Sequence, residues 1–476
     1  SNYPPLDAEH FLKGEYLPLP SLIKAAKLHF LHSDLPSIRR ASANTDPAYN
    51  RAQEIINNSY KTGRRKLILL SGVPGSGKTL VGIRLSYESE FSKLATTRII
   101  PRSNGEFQEL KPPNASIFLS GNGPLVAVLK NALGRGSNQF IQDVRKYVQH
   151  HESGDKRVPL HHVIIFDEAQ RAWDRDKVER RHKGAVEGSE PDMFIGMANR
   201  IPEWGAVVGL IGTGQEIHDG EESGLQQWVD AIENIEGIDN WDIHAPPGII
   251  EQIQTRDIQS YSEPLLTLNA TIRTHFGEKL HHWVDGVLGH VETPYQDLVE
   301  LYKQLKDSGF KIYFTSNLRK AKMYLWNRYE KSPDARYGMI CSSRDKSLGN
   351  YGMKTLSWPK TLNYGRWYNE DRNHSDACWG LYFSVKEFDS QWCEIYFTIV
   401  GWGNDFILEK GEWNNDRARN YAHTSEIKDA FTLRRNAYRV LLTRARDGMI
   451  LYLPTNDLLE ETRQHLIRCG LEDLNM

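Results

Sequence analysis

The sequence predicts an α/β protein of two tandem domains, each a parallel sheet covered by helices. Three observations predict it. At 476 residues the chain exceeds one ordinary compact domain, and units of roughly 150 residues give two or three of them. Two successive sets of short apolar runs alternate with helical stretches; each run is rich in β-branched residues and bounded by glycine or charge, as suits strands buried on both faces. A glycine-rich segment joins the first run of the first set directly to a helical stretch.

Taken in order, residues 1–48 read as a lead segment, with an amphipathic helix over Ser21–Leu31 between proline-bearing stretches. The first domain, 49–262, carries LILL (67–70), SIFLS (116–120), HVIIF (162–166) and AVVGLIG (206–212). The second, 263–476, carries TLNATI (267–272), KIYFT (311–315), YGMIC (337–341), EIYFTIVGW (394–402) and MILYLP (449–454). The boundary falls near 255–265, where QTRDIQSYSEP changes character. Residues 345–380 interrupt the second domain with a long polar and aromatic stretch, read as an exposed excursion.

Hydrophobic residues at 39% and charged residues at 25% are globular values and exclude wholesale disorder or a fibre. No window approaches the eighteen or so apolar residues of a membrane span, so no membrane partner is expected. The chain opens SNYPPLDAEH, which lacks a basic and apolar signal segment and reads as an excised piece with a fused effector domain expected ahead of it. Four scattered cysteines without a C-x-x-C pair point to the reducing cytoplasm rather than a disulfide framework. A net charge of −2 gives no global argument for a polyanionic partner, so any nucleic-acid surface must confine its basic residues to one groove.

The glycine-rich segment is Gly72-Val73-Pro74-Gly75-Ser76-Gly77-Lys78-Thr79, between LILL and the helical stretch LVGIRLSYE. Glycines let such a loop wrap phosphates closely, so that backbone N–H groups and the helix N-terminus face the anion. Lys78 would reach the β and γ phosphates, and Thr79 would ligate magnesium. Gly72, Gly75, Ser76, Gly77, Lys78 and Thr79 are therefore the expected nucleotide-binding residues, with ATP and Mg²⁺ as cofactors. The apolar run ending at Phe166 delivers Asp167 and Glu168 to the C-terminal edge of the sheet, where α/β proteins place ligands. Asp167 would hold magnesium through water, and Glu168 would orient and deprotonate the attacking water.

The order of further elements over about residues 50–455 resembles a superfamily 1 helicase, and more narrowly the Schlafen-group DNA/RNA helicase-like domain of bacterial proteins. Ile117 to Leu125 resembles motif Ia, Asp167-Glu168-Ala169-Gln170-Arg171 motif II, and Gly209 to Ile217 motif III. Leu268 to Arg273 resembles motif IV, and Asn436 to Arg446 motif VI. Glu387 to Glu394 lies where motif V belongs, but with Trp392 and Cys393 in place of the usual glycine and leucine.

The resemblance implies two tandem RecA-like P-loop NTPase domains with a cleft between them. It implies that Gln215 senses the γ phosphate, that Arg273 and Arg444 act as finger arginines, and that Arg439 and Arg446 serve as salt-bridge or backbone partners. Glu394 would accept from a ribose hydroxyl, and Ser120 and Asn122 would touch a nucleic-acid backbone. The same Asn122 also reads as a plain helix cap.

In the 345–380 stretch, Trp358, Tyr364, Trp367, Tyr368 and Trp379 are interleaved with Lys346, Lys354, Lys360, Arg366 and Arg372. Such a stretch either stacks on the unpaired bases of single-stranded DNA or RNA or forms an aromatic mini-core that pins a long loop. No insertion long enough for an accessory domain separates Gln170 from Gln215 and no wedge is legible, so translocation is expected before unwinding. Two activities fit these motifs: an ATP-driven nucleic-acid translocase or helicase, and an ATP-gated module that switches a fused effector, such as a nuclease, with nucleic acid only as trigger.

Overall fold

A computed structural model describes residues 22–30, 36–72, 76–101, 106–154, 156–172, 175, 178, 188–212, 225–268, 277–332, 335–355, 362–390, 395–418 and 429–474. Two compact units divide the chain, residues 1–121 with 138–272 and residues 122–137 with 273–476.

In the first unit, helices α1 (Leu22–Phe30) and α2 (Pro36–Thr62) lead into strand β1 (Arg65–Gly72) and helix α3 (Lys78–Ser86). An antiparallel hairpin of β2 (Arg98–Pro101) and β3 (Phe107–Leu110) follows, then β4 (Ser116–Ser120). Helix α4 (Gly123–Leu133), counted with the second unit, precedes β5 (Ile141–Asp143), α5 (Val144–Glu152) and β6 (Val163–Phe166). Then come α6 (Glu190–Arg200), β7 (Gly205–Gly212), α7 (Gln226–Glu233), β8 (Trp241–Ala245), β9 (Gln259–Ser262) and β10 (Thr267–Leu268).

The strands form one eight-stranded sheet in the order β5-β4-β6-β7-β1-β8-β9, with β10 beside the end of β1, and all its pairs are parallel. Residues 67–70, 117–119, 163–165 and 206–208 are fully buried, because helices cover both faces of the central strands. Phe166, Phe194 and Trp228 pack together in the core behind the end of β6, with Phe194 and Trp228 stacked.

In the second unit, α8 (Gly277–Val287) and α9 (Tyr295–Asp307) precede β11 (Lys311–Thr315), α10 (Leu318–Arg328) and β12 (Tyr337–Cys341). Next are α11 (Tyr364–Asn369), β13 (Ser384–Lys386), α12 (Glu387–Ser390), β14 (Ile395–Gly401) and a small antiparallel pair, β15 (Ile407–Glu409) and β16 (Glu412–Asn414). The chain closes with α13 (Ala430–Leu442), β17 (Ala445–Tyr452), α14 (Glu460–Arg468) and β18 (Glu472–Asp473). Six of these strands form a second, wholly parallel sheet in the order β13-β12-β14-β17-β11-β18.

In the described parts of the 345–380 stretch, 345–355 and 362–380, three of the large aromatics do not face solvent as the reading of an exposed excursion expects. Trp367, Tyr368 and Trp379 are at most 3% exposed. The guanidinium groups of Arg336 and Arg372 lie 4.4 and 4.7 Å from the Trp379 ring, and Trp326 Nε1 donates to the Trp379 carbonyl at 2.9 Å. Burying large aromatic rings outweighs presenting them to solvent, so these side chains form a mini-core. Trp358 and Lys360 lie outside the described residues. Among the described residues, no helix is long and apolar enough to cross a membrane.

Candidate nucleotide site

The site grows from the C-terminal ends of β1, β6 and β7. β7 lies between the other two, pairing Gly212 with Gly72 on one side and Gly209 with Phe166 on the other. Gly77 caps α3 with φ 99°, a left-handed conformation that glycine adopts without steric penalty and that turns the loop into the helix. Lys78 then opens the helix, 9% exposed, and its Nζ donates to the Gly72 carbonyl at 2.7 Å.

Beside it the Thr79 hydroxyl donates to Asp167 Oδ1 at 3.3 Å, bringing together the two residues expected to share a metal. Magnesium in phosphate sites is characteristically held by one or two protein oxygens plus water and phosphate. A neighbouring hydroxyl and carboxylate fit that requirement, although no group of three or more His, Cys, Asp or Glu among the described residues could hold a metal. The Ser76 hydroxyl is buried in the turn with no hydrogen-bond partner among the described residues, as suits an oxygen awaiting a ligand. A Cβ at Gly72 would lie 2.5 Å from Ser76 Oγ and 2.8 Å from the Leu268 carbonyl, so the start of the cradle admits glycine only.

Glu168 stands at φ 60° and ψ 46°, a left-handed backbone that costs a non-glycine residue energy and concentrates at functional sites. Its carboxylate accepts from Gln170 Nε2 at 2.7 Å. The Gln170 carbonyl oxygen in turn accepts from the Gly212 backbone N–H at 2.9 Å. One buried amide thus clamps the carboxylate after β6 to the end of β7, where the segment resembling motif III begins. Sequence reasoning gave Gln170 no task; the available signal was a neutral amide two residues beyond a carboxylate pair. Helix α7 props the same turn: Trp228 Nε1 donates to the Ala169 carbonyl at 3.2 Å and Gln227 Nε2 to the Ala172 carbonyl at 3.3 Å.

The other expected residues fall as follows. Ser120 ends β4, 2% exposed, and the Asn122 side chain accepts from the Leu125 N–H at 3.2 Å, which realises the helix-cap reading. Gly75, Gln215, Arg273 and Glu394 lie outside the described residues. Arg444 follows the C-terminus of α13, with Nε donating to the Val440 carbonyl at 3.1 Å. Arg439 is ion-paired with Asp285 of α8.

The sequence model of Schlafen group 3, DNA/RNA helicase domain, matches residues 65–455. No curated protein matches the chain. Among solved structures, the complex of arterivirus nonstructural protein 10 (helicase) with DNA aligns at 12% identity and TM-score 0.26 over 85% of this chain and 64% of that one, so the chain spans less than two thirds of that protein's length. The Pyrococcus furiosus Hef helicase domain aligns at 12% identity and TM-score 0.26 over 87% of this chain and 97% of that one.

Proposed function

The chain belongs to the Schlafen group 3 DNA/RNA helicase domain family, and from that premise we propose that it is an ATP-driven translocase or helicase on single-stranded DNA or RNA. The observation that carries the reading is the meeting of Thr79 and Asp167 beside Lys78, with Glu168 held by Gln170 at the same sheet edge.

In this reading Lys78 leaves the Gly72 carbonyl to pair with the β and γ phosphates, and the N–H groups opening α3 face the same anion. Thr79 and Asp167 hold magnesium, which supplies charge neutralisation on the phosphates when bound. Glu168 orients a water in line with the γ phosphate and accepts its proton. Gln170 fixes that carboxylate, and Gln215 senses the γ phosphate. Arg444 and Arg273 stabilise the charge that builds up in phosphoryl transfer, a contribution on the order of 10³ to 10⁵ in rate. Ser120 and Asn122 contact the strand, and Glu394 accepts from a ribose hydroxyl of the nucleotide. The free thiols of Cys341, Cys378 and Cys469 support a reducing cytoplasmic setting.

The test is ATP-dependent displacement of streptavidin from the biotinylated end of a single strand, DNA and RNA in parallel. Displacement by the wild type and none by Lys78→Ala supports a translocase. Strand-stimulated hydrolysis without displacement would instead make the chain an ATP-gated switch for a fused effector.

A further inference from the structure

Helix α10 reads LRKAKMYLWNR and carries four cations, Arg319, Lys320, Lys322 and Arg328, with no carboxylate of its own to balance them. Helical spacing sets Arg319, Lys322, Met323 and Trp326 at i, i+3, i+4 and i+7, one stripe beside the buried Ala321 and Leu325. Among the described residues, no carboxylate pairs with Arg319, Lys320 or Lys322. Lys322 is half-buried, and burial, unrelieved by any acid, holds its ammonium below the ordinary lysine range.

The stripe ends on a ring that is both fixed and open. Trp326 Nε1 donates to the Trp379 carbonyl at 2.9 Å, yet the side chain stays 42% exposed. A second ring flanks the same peptide link. Tyr382, 61% exposed, lies so close to Gly380 that a Cβ there would be 2.6 Å from its Cδ2 and Cε2. Between them Leu381 is fully buried at φ 51° and ψ 35°, a left-handed backbone that costs a leucine energy. That turn sends Leu381 inward and Tyr382 outward. Arg336 and Arg372, on the Trp379 ring, bring two more cations to it.

The fold therefore holds two flat rings in solvent, one by a hydrogen bond and one by a strained turn, where burial would have been favourable. An apolar protein partner calls for a wider apolar patch, and here Met323, 38% exposed, is the one aliphatic neighbour on the stripe. A polyanion with unpaired bases matches both features, since bases stack on aromatic rings while cations follow the backbone. Lys322 and Arg319 stand one and two turns before Trp326, about 6 and 10 Å along the helix.

We propose that Trp326 and Tyr382, with Lys322 and Arg319, form a second binding site for an unpaired strand of DNA or RNA, one that stacks bases without ATP. The site lies outside every segment that resembles a helicase motif. It rests on the reading that the chain acts on nucleic acid, but not on ATP-driven movement.

The test is photo-crosslinking of nucleotide-free protein to oligo-dT carrying 5-iododeoxyuridine and to oligo-U carrying 5-iodouridine, with crosslinked peptides mapped by mass spectrometry and affinities measured by fluorescence anisotropy. Crosslinks are expected at Trp326 or Tyr382. Trp326→Ala with Tyr382→Ala should weaken binding at least about tenfold, whereas Trp326→Phe with Tyr382→Phe, which keeps both rings, should stay within about threefold of wild type. Arg319→Gln with Lys322→Gln should reduce the slope of log affinity against log salt by about 1.4, the loss of two single-strand phosphate contacts. Strandless ATP turnover should be unchanged in all three variants. Crosslinks confined to other peptides, or wild-type affinity in the alanine variant, overturn the proposal and leave the rings to a protein partner. A phenylalanine variant as weak as the alanine one marks the rings as structural and overturns it too, as does an unchanged salt slope. If the alanine variant fails to fold, the crosslink map and the salt slope decide. A wild type that binds neither polymer overturns this site together with the translocase reading; binding and crosslinking without ATP-driven displacement overturn the translocase reading alone.

Discussion

Replacing Gln170 by Leu removes both bonds of the clamp while nearly conserving volume. The Gly212 N–H, buried at the end of β7, loses its acceptor, which costs about 1–3 kcal/mol. At roughly 2–4 °C per kcal/mol, the unfolding midpoint of a unit this size should fall by several degrees. Glu168 loses the donor that fixes its carboxylate, and a misplacement of about 1 Å at a reacting group costs on the order of 10² in rate, or about 2.7 kcal/mol. Lys78 and Thr79 are untouched, so nucleotide affinity should change by less than about threefold, a loss in kcat rather than KM. Gln170→Glu should be slower still, because it sets a carboxylate against Glu168 at hydrogen-bond distance. The assay is steady-state hydrolysis at saturating strand, beside equilibrium binding of a fluorescent ATP analogue. A kcat within twofold of wild type for Gln170→Leu would refute the reasoning.

Three further outcomes follow from the same geometry. Asp167→Asn removes the carboxylate charge expected to hold magnesium through water beside Thr79, so the concentration giving half-maximal hydrolysis should rise at least about tenfold; an unchanged magnesium titration would remove Asp167 from that role. Arg444→Ala should reduce strand-stimulated kcat by roughly 10³ or more while leaving nucleotide binding within a fewfold, and a mild effect would mean that Arg444 is no finger. Stability should also fall with acid. Burial first, then the Arg98 guanidinium, pushes His162 down to about 4, and burial pushes His161 to about 4. Both stay neutral in the fold while the unfolded chain takes up protons below about pH 6.5, so each should lower the unfolding free energy by about 1.4 kcal/mol per pH unit between about 6.5 and 4. Urea titrations at pH 7.5 and 5.5 measure this, and His162→Gln should flatten the dependence; an identical slope in that variant would contradict it.

Much of the fold was legible where burial was continuous. SIFLS, KIYFT and YGMIC are β4, β11 and β12 residue for residue, because strands covered on both faces are written as unbroken apolar runs. The edges were not. β8 contains Asp242, which is tolerable in a buried strand only because Lys66 and Arg64 pair with it from outside that run. The polar edge strand β9 (QSYS) is exposed along its length, and the β2–β3 hairpin leaves Ile99 and Phe107 exposed, so neither shows the apolar pattern of a core strand.

At the site, the phosphate loop and the carboxylate pair could be read because each is local in sequence. The Gln170 clamp could not, because its partner Gly212 lies 42 residues on. Buried Arg434 joins the strand ends after β12, β13 and β14 through Ser342, Glu387 and Asp405, a gathering only the parallel topology produces. The buried aromatics of 364–379 show the converse: composition allowed stacking surface and mini-core alike, and packing decided.

The account rests most directly on steady-state ATP hydrolysis with and without single-stranded DNA or RNA, wild type beside Lys78→Ala. A many-fold rise in turnover on adding a strand, abolished by Lys78→Ala, is the predicted result, and the more effective polymer identifies the track. Turnover indifferent to both polymers, or retained in Lys78→Ala, would contradict it.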